Sequence, residues 1–207
     1  MRMRLLIIAA AGLALGGISA AMLVPGGIER IVGTLGGFGG AVKSVGKAQV
    51  GGPFSLVDHT GRRVSETNFR GKHMLVYFGF TYCPDVCPLG LQVMSAALDQ
   101  IGDAAQRVTP VFVSVDHERD TPEQLKLYMS SFHKSFVGLT GSAEEIAAVA
   151  KAYRVYYKKV EDKKSTAGFT VDHTSIIYLM DAKGEFVTHF THATSVDALA
   201  QALRKVL

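Results

Sequence analysis

The feature that most restricts this chain's fold is a pair of continuous apolar runs, residues 73–80 (HMLVYFGF) and 108–115 (VTPVFVSV). A strand that is apolar on both faces must be covered on both, so such runs belong at the centre of a sheet clothed by helices. Between them, residues 87–101 carry Leu91, Met94, Ala97, Leu98 and Ile101 at three- and four-residue spacing. That is the period of a helix with one buried face.

The alternation continues to the C-terminus. Residues 54–57 and 63–64 flank the turn Asp58-His59-Thr60-Gly61 and read as a short hairpin. Thr121-Pro122 offers an N-cap and a first-turn proline for a helix to about residue 132. Ser142 with Glu145 forms a capping box for a helix to Ala152. Residues 155–160 and 175–181 read as strands, and Asp181-Ala182-Lys183-Gly184 turns the second into residues 185–191. Ser195 caps a last helix whose Val196, Leu199, Ala200, Leu203 and Val206 share a face. Alternating strands and helices, closed by a hairpin and a helix, predict a three-layer α/β/α domain over residues 53–207, in an order that fits a thioredoxin-like fold.

Ahead of that domain, Leu5 to Val24 is uncharged throughout (LLIIAAAGLALGGISAAMLV). A twenty-residue helix spans about 30 Å, the thickness of a bilayer's hydrocarbon core. Residues 1–28 are therefore expected to be a cytoplasmic tip and a single transmembrane helix, with Arg2 and Arg4 holding the N-terminus inside. A cleaved signal peptide is the rival reading, and it exports the domain equally. Residues 29–52 read as a glycine-rich linker, with eight glycines between Gly33 and Gly52. The formal charge is +4, and setting aside Arg2 and Arg4 leaves 20 basic against 18 acidic residues, thinly spread. No stretch interleaves basic and aromatic residues, so no nucleic-acid partner is expected.

The chain has only two cysteines, Cys83 and Cys87, which excludes a disulfide-stapled scaffold. The segment Cys83-Pro84-Asp85-Val86-Cys87-Pro88 leaves a buried strand and enters a helix. Backbone N–H groups at a helix start favour a thiolate, the form that attacks disulfides and binds soft metals. Three readings stay open: inert buried thiols, a redox dithiol, or a metal site. Three intervening residues, where redox enzymes of this fold usually carry two, place the sulfurs at i and i+4 on one helical face.

Redox enzymes of this fold also set a cis-proline against the thiols, yet no proline follows Pro122 here. In the equivalent region stands Val171-Asp172-His173-Thr174. An imidazole beside two thiolates is an S₂N donor set, which suits Cu(I), or Cu(II) if an oxygen completes it. A structural zinc site wants four protein ligands, and a fourth is not evident. Asp172 reads either as orienting a ligand or partner or as capping a turn, Asp85 as a turn residue or a functional one, and residues 158–168 as a hairpin tip or an ordinary solvated loop.

The segment Tyr77 to Pro88 (YFGFTYCPDVCP) closely resembles the signature of the Sco/SenC proteins. Ser114 to Glu123 (SVDHERDTPE) and Val171-Asp172-His173-Thr174 resemble that family's two further motifs, in the right order. The resemblance covers roughly residues 50–205 and the anchor. It implies a copper chaperone for the CuA centre of cytochrome c oxidase, with Cys83, Cys87 and His173 as copper ligands. Its expected partners are the CuA-bearing oxidase subunit and other copper chaperones. Its expected place is the inner membrane, with the soluble domain in the periplasm or the mitochondrial intermembrane space. His117 departs from the family's usual proline, and Thr174 from its frequent serine. The alternative is a thiol–disulfide reductase that keeps the oxidase's cysteines reduced, with Cys83 and Cys87 as the redox pair. A peroxiredoxin-like peroxidase is a third option.

Overall fold

A computed structural model describes residues 49–161, 168–191 and 193–207. The expected anchor and nearly all of the expected linker lie outside these residues. Among the described residues no helix is long and apolar enough to cross a membrane.

In chain order the elements are β1 (Ser55–Asp58), β2 (Arg63–Ser65), β3 (His73–Gly79), α1 (Val86–Ile101), β4 (Val108–Ser114), α2 (Pro122–Met129), β5 (Val137–Thr140), α3 (Ala143–Ala152), β6 (Tyr157–Glu161), β7 (Phe169–His173), β8 (Ile176–Met180), β9 (Phe186–Thr191) and α4 (Val196–Val206). Seven strands form one sheet in the order β2-β1-β5-β4-β3-β8-β9, while β6 and β7 make a separate two-stranded hairpin. β3 and β4 run parallel at the centre, with Tyr77 opposite Phe112 and Gly79 opposite Ser114.

Successive strand residues point to opposite faces, and the two faces are covered differently. On one, the Tyr77 ring stacks near Phe112, and Phe112 meets Tyr128 of α2 at 5.7 Å between centroids. Gly90 of α1 lies against Tyr77, where an added Cβ would come within 3.2 Å of the ring. α4 lies along α1, with Gln100 donating to Asp197 and Arg204 donating to the Gln100 carbonyl. On the other face, Phe78 packs against Tyr153 at the end of α3 and against Tyr178 of β8. The result is the expected mixed α/β domain with helices on both sides of the sheet.

The capping residues act as read. Thr121, Ser142 and Ser195 each accept the backbone N–H three residues on, and Glu145 completes the box at Ser142. Strands β5 and β7 have no counterpart in the sequence reading, and two of the expected elements differ from it. The helix opened by Pro122 stops at Met129, three residues early, where Ser130 turns its N–H to the Lys126 carbonyl. The strand expected at 155–160 starts at Tyr157 and leaves the main sheet to pair with β7.

Candidate metal centre

The two sulfurs belong to the buried hydrophobic core. After Gly79 the chain leaves β3 through a loop tied to the segment that follows β4. Thr81 donates to the Asp120 carboxylate through its N–H (2.9 Å) and its hydroxyl (2.6 Å), and Ser114 donates to the same carboxylate at 2.6 Å. Burial pushes the Asp120 carboxyl up, and those hydrogen bonds work against it. Cys87, in the first turn of α1, is fully buried, and Cys83 in the loop is nearly so. Glycine at 79 makes room for them, since a Cβ there would stand 2.8 Å from the Cys87 sulfur and 2.8 Å from the Phe112 ring.

The imidazole arrives from the separate hairpin. His173 ends β7, opposite Tyr157. Its Nδ1 lies 3.2 Å from the Thr174 carbonyl oxygen, and its Nε2 lies 3.2 Å from the Cys87 sulfur. A carbonyl only accepts, so a neutral ring carries its proton on Nδ1 and turns the Nε2 lone pair toward the thiols. Tyr77 and Phe80 meet the ring edge-on, at 6.3 and 5.8 Å between centroids. The two sulfurs and a ring nitrogen of His173 all lie within 4.8 Å of one another.

Arg119 ties the hairpin to the thiol loop. Its guanidinium stands 3.7 Å from the centroid of Phe169, the first residue of β7, and 4.7 Å from that of Tyr82 in the loop. Its Nη1 donates to the Phe169 carbonyl at 3.1 Å, and its Nε pairs with the buried Asp116 carboxylate. Lys159 of β6 adds a second cation 3.9 Å from the Phe169 ring and pairs with Glu118 at 2.7 Å.

The two thiols are not equivalent. Contact with the Cys87 thiol holds the Cys83 pKa down to about 4, against burial and with help from His173 and the backbone of Asp85 and Cys87. The same sulfur–sulfur contact, with deeper burial, pushes the Cys87 thiol up. Cys83 is therefore the more acidic thiol of the pair. Tyr77, raised by burial and then by the nearby Cys87, stays a neutral phenol whose hydroxyl donates to the Val86 carbonyl at 3.3 Å.

Of the residues singled out from the sequence, Cys83, Cys87 and His173 are brought together. Asp85 occupies the N-cap position of α1 without a side-chain capping bond, as a turn residue. Asp172 is exposed, and His173 Nδ1 faces the Thr174 carbonyl. His117 is exposed and is not among the three clustered donors. Sequence reasoning gave no role to Arg119, Asp116 or Asp120, although all three lie in the second motif.

Metal–sulfur and metal–nitrogen bonds of about 2.0–2.3 Å set three donors around one ion roughly 4 Å apart, so the spacing found here suits a single ion. The set is soft and has three donors among the described residues, which favours copper over a four-ligand structural zinc site. Fold and site together define a thioredoxin-like α/β protein with a two-thiol, one-imidazole centre at the carboxyl end of its central strand. The SCO1/SenC family model matches residues 42–207, and the chain belongs to that family. It is 47% identical over 163 residues to the mitochondrial SCO1 homolog 1 of Arabidopsis thaliana, a match covering 78% of this chain and 48% of that protein. With the human mitochondrial SCO1 homolog it shares 45% over 150 residues, 72% of this chain and 50% of the other. The chain thus spans about half the length of these relatives. Among solved structures, the copper-bound ScoI of Arabidopsis thaliana superposes with a TM-score of 0.72 at 46% identity, covering 75% of this chain and 96% of that one. The copper-bound ScoI of Bradyrhizobium japonicum gives 0.71 at 45% identity, covering 76% and 99%.

Proposed function

We propose that this protein binds one copper ion through Cys83, Cys87 and His173 and delivers it to the CuA centre of cytochrome c oxidase. The observation that carries the reading is the convergence of two sulfurs and an imidazole nitrogen within 4.8 Å. Relatives whose solved structures hold copper support it. Transfer proceeds by ligand exchange, the acceptor's thiolates replacing the donor's in turn. The cysteines must be reduced, because a disulfide offers no thiolate. Residues 1–28 anchor the chain in the inner membrane with the N-terminus in the cytoplasm, and residues 29–52 tether the domain on the far side, in the periplasm or the intermembrane space.

Anaerobic copper titration of the full chain tests the binding step. One tight site is expected, lost in Cys83→Ser and in Cys87→Ser and strongly weakened in His173→Ala. Copper binding indifferent to His173→Ala contradicts the three-donor reading.

The inequality of the thiols supports a second activity, reduction of an acceptor disulfide. The Cys83 thiolate attacks one acceptor sulfur and releases the other as a thiol. Cys87 then displaces the second, leaving a reduced acceptor and a Cys83–Cys87 disulfide that an external dithiol must reduce again. This activity requires both cysteines and survives His173→Ala, so that variant separates the two readings.

A further inference from the structure

The sequence spreads its basic residues thinly, but the fold gathers five of them. At the end of the sheet where β3, β4 and β5 begin, an open cleft of about 700 Å³ is lined by Arg62, Arg63, Arg70, Lys72 and Lys134, drawn from three separate stretches of chain. The thiols lie past the other end of β3, whose seven residues span about 20 Å at 3.3 Å per step.

The chemistry of the lining is one-sided. Asp58 is its one carboxylate, and both oxygens are already engaged. Oδ1 accepts from the Thr60 N–H, the Thr60 hydroxyl and the Arg62 N–H, while Oδ2 accepts from the Arg62 guanidinium. His59 also lines the cleft, and its Nδ1 accepts the Gly138 N–H at 3.1 Å. A neutral His59 ring therefore carries its proton on Nε2 and is a further donor. Arg63 is paired with Glu145, whereas Arg70, Lys72 and Lys134 form no ion pair among the described residues. Asp99 and Asp103 line the neighbouring depression that Lys134 also borders, not this one. Like charges gathered in a concavity repel one another and draw in an anion. Guanidinium forks and ammonium groups together match the oxygens of a phosphate.

We infer that this cleft is a binding site for a phosphate-bearing anion, either the headgroup of an anionic lipid or a soluble phosphate compound. The domain then has two poles: a soft-metal site at the carboxyl ends of the central strands and a hard-anion site at their amino ends. Occupation by a headgroup would turn the thiol pole away from the membrane surface.

The test is calorimetric titration of the full chain, in neutral detergent at low salt, with inorganic pyrophosphate. Saturable one-to-one binding is expected, weakened at least tenfold in the triple variant Arg70→Ala/Lys72→Ala/Lys134→Ala. It should be unchanged in Lys151→Ala/Lys158→Ala/Lys205→Ala, which removes the same charge from exposed positions outside the cleft. All six side chains are exposed, so both variants should keep the parent's melting temperature. Non-saturable heats, or equal weakening in both triples, would overturn the site by reducing it to bulk charge. Adding phosphatidylglycerol to the detergent separates the sources. Competition with pyrophosphate assigns the cleft to the lipid headgroup, and its absence assigns it to a soluble phosphate.

Discussion

The cysteines and the histidine reach the same point from regions of very different construction. Cys83 and Cys87 sit where the central strand β3 passes into α1, amid Tyr77, Phe80 and Phe112, all essentially inaccessible to solvent. His173 sits on a two-stranded hairpin outside the main sheet, where only Val171 of the ten strand residues is buried. Burial makes the thiol arm part of the cooperative core. The histidine arm depends on side-chain contacts from Arg119 and Lys159 and on aromatic edges, the kind of region that opens locally at lower free energy. A carrier benefits from that division, because a donor on a separately held arm can be withdrawn without unfolding the rest.

The largest effect should come from the core side. Cys87→Ser is expected to cost about 10³-fold in copper affinity, the scale of one donor's share in a tight site. Competition with a Cu(I) chelator measures it, and a loss smaller than that of His173→Ala would reverse the order assigned to the two arms. Next, Arg119→Ala should weaken copper by about 10–100-fold, the usual cost of losing a group that orients a ligand. Amide exchange in β6 and β7 should quicken while β3 stays protected, and Arg119→Lys should not restore affinity, because an ammonium cannot keep both the Asp116 pair and the Phe169 carbonyl. Uniformly faster exchange would mean that Arg119 supports the whole domain and not the hairpin.

Gly79→Ala should destabilise the fold by about 1–3 kcal/mol, since the added methyl meets the Cys87 sulfur and the Phe112 ring. Denaturant unfolding reads this, and an unchanged midpoint would show that the thiol arm is less rigid than its packing implies. The smallest effect serves as a control far from both arms. Burial tends to raise the Asp58 carboxyl, but hydrogen bonds from Thr60 and Arg62 outweigh it and hold the pKa below the usual value. A depressed acid stabilises the fold above its unfolded pKa of about 3.9, and that contribution is lost as pH falls through the folded value. Asp58→Asn should cost about 1–2 kcal/mol near neutral pH. It should also flatten the decline of stability below about pH 4 and leave copper binding intact. An unaltered acid limb would contradict the assignment.

Much of this was legible in the sequence where one local signal sufficed. The run at 73–80 became β3, the caps at Thr121, Ser142 and Ser195 opened their helices, and the three clustered donors were named by motif. The signal was missing where distant residues decide. β5 is four residues (Val137–Thr140) with a central glycine and no alternation, and it is a strand because β4 offers it a parallel partner. The polar segment 158–168 reads as a hairpin tip or a solvated loop, and its first four residues are strand because Phe169–Asp172 pair with them. Arg119 in a charged turn looks solvated, and only the fold slides it beneath Phe169, Tyr82 and Phe80. The basic cleft was hidden for the same reason, since its cations are up to 72 positions apart, from Arg62 to Lys134.

X-ray absorption of the copper-loaded full chain, beside its His173→Ala variant, tests the convergence of the two arms on one ion most directly. Two sulfur and one nitrogen scatterers around copper are expected in the parent, with the nitrogen gone from the variant. Indistinguishable spectra, with the same sulfur shell in both, would mean that the histidine arm never reaches the metal.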